Sequence, residues 1–115
     1  MKTILLAALI ALPATPVFAS GAGAFVLVNG TSARLGQLLI RRAGTQEWKA
    51  LGSAPGAGAR SSMAFSDPDC AFDIQATVPG SGSAPVTWAA INLCGAKSVT
   101  LQHDSAAGAW VDYDQ

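Results

Sequence analysis

Histidine is nearly missing from this sequence: the only one is His103. Charge is scarce as well, at 12% of residues. Each shortage removes a class of function. One histidine and two cysteines are too few donors for an ordinary zinc or iron site. No metal and no cofactor is therefore expected. Seven Lys and Arg balance seven Asp and Glu, so nothing is basic enough to hold a phosphate backbone. The same balance leaves no polybasic patch for an anionic membrane. No stretch keeps a convincing helical period. No G-x-S-x-G elbow surrounds a serine, and the serines sit in Gly/Ala/Ser loops. The expectation is a protein that is not an enzyme.

What is present begins with MKTILLAALIALPATPVFAS. Lys2 supplies a short positive region, and Ile4 to Leu12 is an unbroken apolar run. That run is too short for a membrane span, which needs about 20 apolar residues. Pro13 and Pro16 break any helix, and Val17 and Ala19 place small residues before a cut. This is the pattern of a secretory signal peptide over residues 1–19. No twin arginine precedes the run, and no cysteine near the cut offers a lipid attachment. The mature domain is then 20–115. Losing Lys2 leaves six Lys and Arg against seven Asp and Glu, a net charge of −1. The expected location is periplasmic or secreted.

The two cysteines bracket CAFDIQATVPGSGSAPVTWAAINLC, residues 70–94. An exported chain meets an oxidising compartment, where paired cysteines become disulfides. Only one pairing is available, Cys70–Cys94. The spacing is far from the Cys-x-x-Cys of redox enzymes. A structural clasp on a central strand pair is expected. Closing this loop stabilises the fold by about 3–3.5 kcal/mol on the chain-entropy model, a useful addition for a small core.

Period-two patterning fills the rest. Strands are expected at Ala24–Asn29, Leu35–Arg42, Glu47–Leu51, Arg60–Ser66, Cys70–Val78, Val86–Leu93, Ser98–His103 and Trp110–Tyr113. In Cys70–Val78, Phe72, Ile74 and Ala76 alternate with Asp73 and Gln75, giving a core face and a wet face. In Val86–Leu93 the apolar phase slips, from Val86 and Trp88 to Ile91 and Leu93. A bulge near Ala89-Ala90, or burial on both faces, would account for it. Short strands with regular turn signals predict an all-β fold: a small antiparallel β-sandwich of about seven strands stapled by one disulfide.

Candidate chemistry is thin. His103 beside Asp104 reads first as a surface histidine at a strand end. Ser66-Asp67-Pro68-Asp69, with Asp73 nearby, has oxygens for calcium but lacks the EF-hand spacing, so it reads as a turn. Asp112 and Asp114 read as solvating charges. Asn29-Gly30-Thr31 matches a glycosylation sequon but reads as a turn. Arg41-Arg42 reads as a guard on an edge strand. Trp88 belongs to the core. Trp48, Trp110 and Tyr113, on short or terminal strands, form the candidate ligand platform, since exposed rings stack on sugars. Core or edge packing is the competing role for them.

The run FVLVNGT, LLIRRAG, EWKALG, CAFDIQATV and VTWAAINLCGAKSVTL resembles a group of small exported, uncharacterised bacterial β proteins. Their marks are a Cys-x-Phe-Asp strand and an Asn-Leu-Cys strand, matched here at Cys70–Asp73 and Asn92–Cys94. The resemblance implies a compact periplasmic β domain with a disulfide, and it carries no catalytic residues. The functional expectation is a non-catalytic exported binding or structural module of the bacterial envelope, its partner a protein or envelope component. The alternatives are a carbohydrate-binding module or a small secreted enzyme inhibitor presenting loop 79–85.

Overall fold

The computed structural model describes residues 21–80 and 82–114. The expected signal peptide lies outside the described residues. Eight strands follow in order: β1 (Phe25–Asn29), β2 (Leu38–Arg42), β3 (Lys49–Gly52), β4 (Arg60–Met63), β5 (Ala71–Ala76), β6 (Val86–Asn92), β7 (Ser98–Asp104) and β8 (Gly108–Asp114). They form two four-stranded sheets, one ordered β4-β1-β7-β8 and the other β3-β2-β5-β6. The all-β sandwich is as the alternation foretold. No helix among the described residues is long and apolar enough to cross a membrane.

Alternation decides what is buried. Phe25 and Leu27 of β1, and Val99 and Leu101 of β7, line the inner face of the first sheet. Leu38 and Ile40 of β2, Phe72 and Ile74 of β5, and Trp88 and Ile91 of β6 line the second. Each such side chain contributes roughly 1.5–3 kcal/mol of burial. The indole Nε1–H of Trp88 crosses the sandwich and donates to the Gln102 carbonyl at 2.7 Å.

Four expectations need correction, the last of them the place of the disulfide. The sheets are not wholly antiparallel: β1 pairs with β4 antiparallel but with β7 parallel. Alternation fixes the faces of a strand and leaves its neighbours open, so this pairing has no local signature. Arg41 and Arg42 do not guard an edge, because β2 lies between β3 and β5. Asp73 is not on a wet face. It is 95% buried (5% exposed), under the Arg41 guanidinium, whose Nε donates to its Oδ2 at 2.8 Å.

The phase slip in β6 is a bulge. Phe72 faces Ile91 and Ile74 faces Trp88, so Ala89 and Ala90 share the space opposite Asp73. Ala90 takes a left-handed φ of 55°, costly for a residue with a Cβ. Its N–H donates to Asp73 Oδ1 at 2.9 Å, which holds it there. The disulfide then joins Cys70, just before β5, to Cys94, just after β6, with Cα atoms 5.0 Å apart. β5 is interior and β6 is an edge, so the clasp ties an outer strand to the sheet rather than binding two central ones.

Candidate functional site

The sandwich has two long sides, and they are built differently. On one side β6 and β8 lie against each other, and Asn92 N–H donates to the Tyr113 hydroxyl at 3.0 Å. On the other side an open cleft of about 420 Å³ runs between β3 and the chain leaving β4. Ile40, Phe65 and Phe72 give it apolar walls, and Arg42, Glu47, Lys49 and Asp67 supply its charges. Phe65 stands edge-on to both Phe25 and Phe72, at centroid distances of 6.2 and 5.1 Å. Such pairs add modestly to their burial and fix the ring.

Register explains why charge collects here. Ile40 faces Lys49 across β2 and β3, and Ile40 points into the sandwich. Lys49 therefore points the same way but remains exposed, because the first sheet does not cover β3. Arg42 faces Phe72 across β2 and β5. Arg42 bonds Asp67 at 3.2 Å and Asp69 at 3.1 Å. The Asp69 backbone N–H, first, and the Arg42 side chain, second in favour of ionisation, hold the Asp67 carboxyl below the ordinary carboxylate range. The bond to Asp67, foremost, raises the Arg42 guanidinium further.

The acidic turn is thus held by an arginine. Asp69 N–H donates to Asp67 Oδ1 at 2.8 Å, closing a turn around Pro68. Asp73 belongs to a different partner, Arg41. Among the described residues no three carboxylates, histidines or cysteines gather as metal ligands.

The three rings of the expected platform do not meet. Trp48 lies on the outer side of the second sheet, with the Arg41 guanidinium 4.3 Å from its ring centre, a cation–π contact. Trp110 and Tyr113 are 42% and 41% exposed. They pair with Gln102 and Val99, respectively. Val99 is buried and Gln102 is not, so the two rings stand on opposite faces of β8. His103 lines a smaller hollow of about 210 Å³ with Thr31 and Ser105. Asp104 instead accepts from the Ala106 and Ala107 N–H groups at 2.7 and 3.2 Å. Those bonds lower its pKa and close the β7–β8 turn, where Gly108 takes φ 87°.

Sequence reasoning read Asn29 only as part of a turn and missed its burial. It is fully buried, and its Nδ2 donates to Ala33 and Pro55 carbonyls at 2.9 and 3.1 Å. Its Oδ1 accepts from Thr31 N–H and Oγ1–H at 2.9 and 2.6 Å. The sequon residues are thus an internal knot for two loops. Phe65 and Phe72 were also passed over as a cleft wall. Their one local signal is that they flank the same acidic turn and disulfide.

No protein-family model matches the chain, and no curated protein does. A solved structure with a similar fold is the NMR structure of a protein from Eubacterium rectale. Its TM-score is 0.57 at 15% identity, over 82% of this chain and 89% of that one. The likeness supports the architecture.

Proposed function

We propose that the chain is a non-catalytic exported binding module of the bacterial envelope, and that the open cleft receives an extended segment of a protein partner. The observation that carries this reading is the unequal closure of the sandwich, which leaves aromatic walls and the exposed Glu47 and Lys49 on the β3 side. An apolar side chain of the partner would fill the space between Phe65, Phe72 and Ile40. The free edge of β3 would supply main-chain hydrogen bonds to a strand laid beside it. Glu47 and Lys49 would select the partner's charge pattern.

Two further facts support it. Thr45 and Ser66 line the cleft, while the single histidine lines another hollow, so no hydroxyl there has an imidazole base. The Cys70–Cys94 bond fits an oxidising compartment, in keeping with the leader-like residues 1–19 and with the group of exported proteins the sequence resembles. The test is a photo-crosslinking residue at Ala64, on the cleft, in the producing cell. One defined protein adduct is expected, lost on Lys49→Glu. The same probe at Ala107, in the β7–β8 turn, should not give it. Equal adducts from both sites, or none from Ala64, would sink the reading.

A further inference from the structure

The outer face of the first sheet carries a second arrangement, independent of the cleft. Trp110 faces Gln102 and Asp112 faces Thr100 across β8 and β7, so all four side chains share that face. Gln102 Nε2–H donates to Asp112 Oδ2 at 3.2 Å. The Gln102 backbone is anchored from inside by the Trp88 indole. Its side chain lies over Gly30, where a Cβ would come within 2.7 Å of Gln102 Oε1 and of Thr100 Cγ2. A glycine there leaves the lane that the amide occupies. Gln102 Oε1 and Asp112 Oδ1 have no hydrogen-bond donor among the described residues. A set amide and a carboxylate thus stand beside an exposed indole, each with an acceptor to spare.

We propose that this face binds a ring of an uncharged saccharide, with Trp110 as the stacking surface. A pyranose has an apolar C–H face and a rim of hydroxyls. The indole would take the first, and Gln102 Oε1 and Asp112 Oδ1 would accept from the second. Hydrogen bonds to the ionised Asp112 are the stronger kind. Ser98 and Thr100, next along β7 on the same face, extend the polar surface for a neighbouring ring. The sugar is uncharged because Asp112 and Asp114 line β8 on this face and repel an acidic one. Trp48 and Tyr113 have no part in it.

The test is a ¹H–¹⁵N spectrum of the purified disulfide-bonded protein, titrated with hexasaccharides of glucose and of N-acetylglucosamine. Polygalacturonate serves as the acidic control. The three indole N–H signals of Trp48, Trp88 and Trp110 report separately. With one of the neutral sugars, the Trp110 indole and the Gln102 side-chain amide should shift and saturate at about millimolar concentration. Trp110→Ala should weaken binding by about tenfold or more, with the other signals still dispersed. Gly30→Ala, which displaces the Gln102 tip, should weaken it several-fold with Trp110 intact. No Trp110 shift with either neutral sugar at about 10 mM would overturn the proposal. So would shifts that survive Trp110→Ala, or equal binding of polygalacturonate. Lys49→Glu on the cleft should leave this titration unchanged, so the two sites fail or hold separately.

Discussion

The two long sides of this sandwich solve one problem in opposite ways. Every open sheet leaves two unpaired edges, and two stacked sheets leave four: β4, β8, β3 and β6. On the β6/β8 side the edges are drawn together. Trp88 bonds across to β7, Tyr113 bonds β6, and the disulfide ties the β6 end back to β5. On the β3/β4 side the edges are kept short, at four residues each, and are separated by a cleft with charged lining. Closure there would bury Lys49 and Glu47, which interact with Asp67 and Arg42 without a salt bridge among the described residues, at high cost. The side that is pinned supplies stability. The side that stays open keeps aromatic and charged surface in solvent.

That contrast can be broken from the pinned side first. Replacing both cysteines with serine should lower unfolding stability by about 3.5 kcal/mol on the chain-entropy model. Urea denaturation of oxidised wild type against the double variant measures it. A loss below about 1 kcal/mol would mean that strand contacts alone hold the closed side. Next comes Tyr113→Phe, which leaves the Asn92 N–H without its acceptor. It should cost about 1 kcal/mol and speed amide exchange at Asn92. No change in that exchange would show that the hydroxyl does not pin the side.

The smallest effect belongs to the open side. The Asp67 carboxyl has a folded pKa below its unfolded value, near 4. Such a group contributes stability that is whole above the unfolded value and fades as pH falls through the folded one. Asp67→Asn keeps an acceptor for the turn but loses the charge. Its stability should fall less than wild type's on acidification below about pH 4, and the two curves should run parallel above it. Parallel curves throughout would show that neither the Asp69 N–H nor the Arg42 guanidinium stabilises the ionised Asp67 carboxyl measurably, as with many exposed pairs.

Much of the fold was legible because alternation is a local signal. Phe72, Ile74 and Ala76 announced a buried face, and the slip between Trp88 and Ile91 offered the bulge as one of two accounts. The cysteines announced their bond by being two and by standing at strand ends. What was not legible depends on neighbours distant in sequence. Asp73 looks solvated until Arg41, 32 residues earlier, is laid over it. Arg41 and Arg42 look like edge guards until β5 is placed beside β2. The candidate sites suffered most. Trp110 and Tyr113 sit three residues apart and were grouped, yet period two sends them to opposite faces. Gln102, which faces Trp110 across the hairpin, carries no mark in the sequence.

The parallel pairing of β1 with β7 has a consequence for the order in which this protein can be assembled. β1 is the first described strand, and its two neighbours begin at Arg60 and Ser98. A chain emerging amino end first therefore exposes Phe25–Asn29 long before either neighbour exists. The last of those contacts waits until almost the whole domain has appeared, and Cys94 also arrives late. Long-range pairing of this kind makes folding slow and leaves an apolar edge open while it proceeds. The fold is one that completes late in synthesis, with the first described strand waiting for one of the last.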